Sequence, residues 1–346
     1  MRPRTLRRLL PAVAIATLVS GCASTGPGPR PAPHPSPGPA PADETVSVRL
    51  GPPGSRAVTR VTLEAYVEGV VAAELSVRQL PAGAARAMLE LQAVLARTYA
   101  VAHRGRHAAE GSDLCGGTHC QLYQPERVRA VADEVGAAVA ATRGLVLTYE
   151  GRPIVALYHA DCGGRTSTGE AIWGGAALPY LRGVDDRACL TPPRVWRFEA
   201  TAEALAAALA REDGLDVGGR LDAIDILETD DAGRVTGLAL EGSRSRLTRG
   251  EGLRRAVMAA FGPDSIRSPR FAVARDGQRF VFEGRGLGHG AGLCQRGALA
   301  RLAAGSTVAD VLGHYYPGTR LSPWSSRTRV ADARDGRHRA DVRPAP

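Results

Sequence analysis

Residues 61–76 read VTLEAYVEGVVAAELS, an apolar run in which Val67, Val70, Val71 and Leu75 fall at helical spacing and Glu74 stands near the end. The spacing predicts a helix over Leu63–Leu75. The same i, i+3, i+4 pattern continues through Met88, Leu91, Leu95 and Tyr99, predicting a longer helix over Ala84–His103. Val131–Thr142 is a short alanine-rich helix that Gly144 stops. The period then changes: LVLTYEGRPIVALYHA (145–160) places β-branched residues on either side of Glu150-Gly151-Arg152 and predicts a hairpin. Further along, Ala202–Arg211 reads as a helix. Leu221–Thr229, Val235–Leu240 and Ser245–Leu247 read as short strands with a turn at 230–233, and Gln295–Ala304 and Val308–Tyr315 as two last helices. No internal repeat is visible, and the fold class expected is mixed α+β.

Toward the N-terminus, TVSVRL (45–50) alternates as a strand would, so the folded region begins near Glu44; it ends near Pro323. Before it, ASTGPGPRPAPHPSPGPAPA (23–42) alternates proline with small residues and offers no apolar group for a core, as an extended tether does. The first 22 residues, MRPRTLRRLLPAVAIATLVSGC, carry a basic stretch, the apolar run Leu9–Val19 and then small residues, the layout of an export signal. That run is the longest apolar stretch and is too short to cross a bilayer, which excludes a multispanning membrane protein. Removing Arg2, Arg4, Arg7 and Arg8 with the signal lowers the formal charge from +9 to +5. So modest a balance suits an anionic polymer and is weak support for nucleic-acid binding. The tail, 324–346, is charged and disorder-like.

Four segments hold the residues that carry chemistry. Glu74 follows an apolar run, and desolvation there raises a carboxyl pKa toward neutrality; Glu64, Glu68 and Glu90 fit the same description, so spacing alone does not single out Glu74. In DLCGGTHCQLYQ (113–124), Cys115, His119 and Cys120 form either three ligands of a zinc ion with an open fourth position, a disulfide, or free thiols. In YHADCGGRTSTGEAIWGG (158–175), Cys162 is placed to pair with Cys189, closing a loop worth about 3 kcal/mol in the chain-entropy model, while His159 reads as a structural residue. In FEGRGLGHGAGLCQRGALARLAAG (282–305), glycine recurs at every second position around His289. That loop lacks the Lys-Ser/Thr ending of a phosphate loop and opens no βαβ unit, so neither nucleotide motif applies.

Taken in order, VTLEAYVEGVVAAELS, ARAMLELQAVLARTYAVAHR, CGGTHCQLYQ, RGLVLTYEGRPIVALYHADCGGRTS, IWGGAALPYLRGV, GRGLGHGAGLCQRGALARLAAG and VADVLGHYYPGT resemble the SpoIID/LytB family, the sporulation stage II protein D and amidase-enhancer group. The resemblance covers about 260 residues and implies a SpoIID-like core over 44–323, with about 190–270 as an inserted or appended α/β segment. It implies a peptidoglycan lytic transglycosylase that cuts between N-acetylmuramic acid and N-acetylglucosamine in strands stripped of stem peptides. The family's acid lies in Val-Val-Ala-x-Glu-Met, here Val70-Val71-Ala72-Ala73-Glu74-Leu75, with Leu75-Ser76 departing from the family's Met-Pro. Gln121, His289 and Gln295 are then substrate-binding candidates. Zinc on Cys115, His119 and Cys120, with a Cys162–Cys189 disulfide, also follows from the resemblance, leaving Cys294 over where relatives often carry serine. Leu18-Val19-Ser20-Gly21-Cys22 resembles a bacterial lipobox, implying a lipid on Cys22 and, with Ala23 next to it, an outer-membrane lipoprotein facing the periplasm. The alternative reading is a noncatalytic enhancer of an N-acetylmuramoyl-L-alanine amidase. A role in sporulation fits the lipobox and tether less well.

Overall fold

β1 (Thr45–Arg49) pairs antiparallel with β2 (Val58–Thr62), from Thr45 opposite Thr62 to Arg49 opposite Val58. The computed structural model describes residues 44–51, 55–189 and 194–324; the signal, the tether, Cys22 and the charged tail lie outside the described residues, save Trp324. β2 runs straight into α1 (Leu63–Glu74), and Thr62 serves as its N-cap, its Oγ1 accepting from the Ala65 amide at 3.2 Å. Such a cap contributes about 1 kcal/mol. Tyr66, Val67, Val70 and Val71 are buried, in one core with residues of α2 (Ala82–Ala102). A fully buried guanidinium locks the two helices together: Arg97 of α2 donates to both carboxylate oxygens of Glu64, at 3.0 and 2.7 Å, and to the Leu145 carbonyl at 3.2 Å.

β3 (Leu114–Cys115) joins β1 in parallel, and α3 (Ala132–Ala141) leads into β4 (Leu145–Tyr149). The hairpin expected over 145–160 is real but short. Its turn is the residue pair Glu150-Gly151, both with positive φ (50° and 80°), the type I′ conformation that matches strand twist. Its return strand β5 is only Arg152–Pro153. Proline has no amide to continue the ladder, and residues 158–159 form a separate strand, β6 (Tyr158–His159), with a different partner.

After α4 (Gly169–Trp173) a second hydrophobic cluster begins. It is built by β7 (Val195–Thr201), α5 (Ala202–Leu209), β8 (Leu221–Thr229), β9 (Val235–Gly242), β10 (Arg246–Thr248), α6 (Gly250–Phe261), β11 (Phe271–Asp276) and β12 (Arg279–Arg285). The sheets run β10-β9-β8 and β11-β12-β7, with Leu205, Leu209, Leu238, Leu253, Val257, Phe280 and Phe282 at the centre. The segment is thus larger than 190–270, because β12 supplies Phe280 and Phe282 to the same core. β2, β7, β11, β12 and α6 were not expected from the periodicity; β7 alternates Trp196 and Ala200 inward with Arg197 and Glu199 outward, over a stretch rich in charge.

The chain then returns to the first core. β13 (Leu293–Cys294) lies parallel to β6, with Leu293 opposite Tyr158 and Cys294 opposite His159. α7 (Gln295–Ala303), α8 (Val308–Tyr315) and β14 (Arg320–Pro323) follow, the last covering the free edge of β4. Arg234 ties the two cores: fully buried, it donates to the carbonyls of Cys162 (2.7 Å) and Arg165 (2.9 Å) and to Ser167 Oγ (3.0 Å). Gly290, at φ 91°, lets that guanidinium through, since a Cβ there would overlap it. Among the described residues no helix is long and apolar enough to cross a membrane.

Candidate functional site

Glu74 is the last residue of α1, where the chain turns away from the helix. Its Oε1 accepts from the Leu122 amide at 3.0 Å, and its carboxyl group meets the Tyr158 hydroxyl. Burial among the apolar side chains raises its pKa above the ordinary carboxyl value, and the two donors only partly counter that. The other glutamates of the two helices have different surroundings. Glu64 is spent on Arg97, and Glu90 pairs with Arg86 on the surface. Glu68 is also raised, by burial first and then by Glu64.

The loop that delivers Leu122 is clamped onto α1. Gly116 donates to the Arg49 carbonyl at 2.9 Å, Gln124 donates to the Gly69 carbonyl at 3.3 Å, and Tyr123 stacks on Tyr66 with ring centroids 5.2 Å apart. Gly69 is required there, because a Cβ would enter the Tyr123 ring. Within the same loop Gln121 is 2 % exposed and fully engaged. Its Nε2 donates to the Ala96 carbonyl and the Tyr66 hydroxyl, both at 3.2 Å, and its Oε1 accepts from the Tyr158 hydroxyl at 2.9 Å. The carbonyl of Ala96 is an acceptor only, which fixes the amide orientation. Gln121 therefore stands behind Tyr158, with its amide bonded to protein groups.

His289 is half-buried in the glycine-rich loop. Its Nδ1 accepts from the Ala291 amide at 3.1 Å and its ring also bonds the Tyr158 carbonyl, so both nitrogens are occupied. Burial, with Arg254 and Arg234 nearby, pushes its pKa down to about 3, and the imidazole is neutral. It packs on Trp173 (4.9 Å) and His159 (5.5 Å). His159 bonds the Ala291 carbonyl through Nδ1 at 3.1 Å and keeps a buried, unpartnered Nε2. Gln295, half-buried at the start of α7, donates to Gln92 Oε1 at 3.2 Å. Of the three residues expected to touch substrate, Gln295 and His289 are both half-buried, whereas Gln121 is buried.

Cys115, His119 and Cys120 do come together, and His107 joins them. Cys115 Sγ lies 3.1 Å from Cys120 Sγ and 3.6 Å from His119 Nδ1, and Cys120 Sγ lies 3.3 Å from His107 Nε2. A tetrahedral zinc ion with bonds of about 2.0–2.3 Å needs ligand separations of roughly 3.3–3.8 Å. The two sulfur–nitrogen distances fall in that range, the sulfur pair at 3.1 Å lies just under it, and all four ligand atoms fall within 4.8 Å of one another, so the four residues could hold one ion. The contact with Cys120, then His119, draws the Cys115 thiol well below its usual range. His107 Nδ1 bonds Glu110 Oε1 at 2.6 Å, the carboxylate–histidine arrangement that orients a metal ligand, and Arg49 pairs with Glu110 behind it. His107 Nε2 lies where a fourth ligand to such an ion would stand. Its signal in the sequence was only a histidine eight residues before Cys115.

The expected Cys162–Cys189 disulfide is absent from the structure: both are free, and Cys294, expected to be left over, lies with them.

A family model described as Stage II sporulation protein matches residues 53–149, and a second, Domain of unknown function (DUF8618), matches 194–292. Stage II sporulation protein D of Bacillus subtilis (strain 168) is 28% identical over 294 residues, covering 80% of this chain and 79% of that protein. The protein of the same name from Bacillus amyloliquefaciens is 28% identical over 295 residues, covering 81% and 80%. Over about four fifths of its length the chain is similar to proteins of the SpoIID/LytB family. The Amidase enhancer of Bacillus subtilis (strain 168) is 26% identical over 288 residues, 71% of this chain but 39% of that longer protein. These relatives support a cell-wall related function. The Stage II sporulation match contains Glu74, Gln121 and the whole Cys/His set. The second match contains most of the second core and His289. Tyr158, Cys162, Asp186, Cys189, Cys294 and Gln295 fall outside both.

Proposed function

We propose that the chain is a peptidoglycan lytic transglycosylase acting on denuded glycan, with Glu74 as its single acid and base. The observation that carries this reading is a desolvated carboxyl group whose named partners are an amide and a phenol. Hydrolysis of a glycosidic bond ordinarily needs two carboxyl groups. A transglycosylase needs one: Glu74 protonates the glycosidic oxygen, and its carboxylate then takes the proton of the muramyl 6-hydroxyl as that oxygen closes a 1,6-anhydro ring. No water is consumed, and the proton balance returns Glu74 to its starting form.

Tyr158 suits both halves of that cycle. It has one hydroxyl proton and two neighbours, Gln121 Oε1 and Glu74. While Glu74 holds its proton, Tyr158 donates to Gln121 and accepts from Glu74. Once Glu74 is ionised, the same O–H turns to the carboxylate and stabilises it. Both states of the acid thus keep a hydrogen-bonded partner in a buried place, where an unpaired group would be costly.

The proposal includes zinc at His107, Cys115, His119 and Cys120. With four protein ligands the ion has no open position, so when bound it supplies structure rather than Lewis-acid chemistry. Cys120 immediately precedes Gln121 and Leu122, so the ligand set holds the two residues that meet Tyr158 and Glu74. The proposal also includes a lipid on Cys22 anchoring the chain in the outer membrane, with glycan strands as its partner.

The Amidase enhancer relative supports a second reading, a noncatalytic enhancer of an amidase. One experiment separates them: amidase-treated peptidoglycan is digested with the wild-type chain and with Glu74→Gln, and the products are weighed by mass spectrometry. The enzyme reading expects 1,6-anhydromuramyl ends from the wild type alone. Stimulation of an added amidase by both proteins, without such ends, supports the enhancer.

A further inference from the structure

Three stretches remote in sequence meet behind the β6–β13 pair. Cys162 follows β6, Asp186 and Cys189 flank a single 3₁₀ turn (Arg187–Cys189), and Cys294 ends β13. Cys294 Sγ lies 3.4 Å from Cys189 Sγ, Cys162 Sγ lies 3.3 Å from Asp186 Oδ2, and the four ligand atoms all fall within 4.8 Å of one another. We propose that Cys162, Asp186, Cys189 and Cys294 bind a second zinc ion, separate from the one at His107, Cys115, His119 and Cys120.

The chemistry of the donor set favours an ion over the alternatives. A disulfide uses two sulfurs and leaves the third, as a thiol, beside the fully buried Asp186 carboxylate. A divalent cation uses all four groups at once. Bonds of about 2.3 Å to sulfur put tetrahedral edges near 3.7 Å, and four donors confined to 4.8 Å leave room for one ion rather than a multi-iron cluster. Three thiolates and a carboxylate are a soft set suited to zinc, not to calcium or magnesium.

The surroundings are built for negative charge on these atoms. The Cys162 amide donates to Cys294 Sγ at 3.2 Å, Gly164 to Cys162 Sγ at 3.3 Å and Gly297 to Cys294 Sγ at 3.4 Å. Tyr315 donates to Asp186 Oδ2 at 2.7 Å, and Arg301 pairs with Asp186 Oδ1 at 3.4 Å, so the carboxylate is oriented from outside as ligating carboxylates are. Gly297 is required beside Asp186 and Tyr315, because a Cβ would occupy their place. Four protein ligands close the site, so the ion is structural. It pins β6, which carries Tyr158, to β13 and the start of α7, which carries Gln295.

The test counts zinc in the full chain, purified under reducing conditions without chelator, by elemental mass spectrometry. Two equivalents are expected in the wild type. Cys115→Ser/Cys120→Ser should keep one, and its cobalt-substituted form should show thiolate-to-metal absorption. Cys189→Ser/Cys294→Ser should lose that equivalent and keep the other. If a double variant fails to fold, the wild type decides by differential alkylation: Cys162, Cys189 and Cys294 should become reactive on chelation of zinc. Loss of all zinc in Cys115→Ser/Cys120→Ser as a folded protein, alkylation of the three cysteines that ignores the chelator, or a Cys162–Cys189 cross-link in the native chain overturns the proposal.

Discussion

The hydroxyl of Tyr158 donates to Oε1 of Gln121 at 2.9 Å while also meeting the carboxyl group of Glu74. One proton thus serves two acceptors, and the acid is coupled to a glutamine that never reaches the surface. Tyr158→Phe removes the partner of both states of Glu74. With burial unchanged and one donor gone, the carboxyl pKa rises further, so the alkaline limb of a glycan-cleavage profile moves to higher pH. A hydrogen bond to a charged group contributes about 1.5–3 kcal/mol, so the maximal rate should fall by at least about tenfold. Rates measured across pH on a defined glycan check both effects.

Gln121 separates positioning from binding. Gln121→Leu keeps the volume but frees the Tyr158 hydroxyl and strips partners from Ala96 and Tyr66. The expected result is a fall in kcat with KM largely unchanged. A rise in KM at constant kcat would instead make Gln121 a substrate contact.

The raised pKa of Glu74 also makes a stability prediction. A carboxyl group that holds its proton more tightly in the folded chain than in the unfolded one costs stability above its folded pKa, and the cost vanishes below the unfolded value, about 4.3. Glu74→Gln should therefore raise stability at neutral pH, by about 1.4 kcal/mol for each unit of the elevation, and Tm with it. The gain should shrink to nothing as the pH falls below about 4. Thermal melts at several pH values, with the wild type alongside, read this directly.

Glu110 touches no proposed metal position but bonds the far nitrogen of His107. Glu110→Gln should weaken zinc binding by about 10–100-fold, the usual effect of losing an outer carboxylate. It should also leave the stoichiometry at saturating zinc unchanged. Competition with a chromogenic chelator measures the affinity.

Much of this was legible in the sequence where one physical signal dominated. The helices over 63–75 and 84–103 show in their apolar period, and the Glu150-Gly151 turn shows in its residues. Glu74 stood out only by resemblance, since burial and the Tyr158 contact depend on a strand more than 80 residues away. His107 was missed for the same reason: its ring reaches Cys120 because the 108–110 turn folds back, which no periodicity announces. The pairing of Cys162 with Cys189 assumed two partners along one loop, whereas β13 brings Cys294 beside His159 from a distance of 135 residues. β7 and β12 carry charge at alternate positions, which masks their inward aromatic face.

The most direct measurement is the mass spectrum of amidase-treated glycan after incubation with the wild-type chain and with Glu74→Gln. The account predicts 1,6-anhydromuramyl ends with the wild type and none with the variant. Ends that persist in Glu74→Gln, or reducing muramyl ends from the wild type, would contradict it.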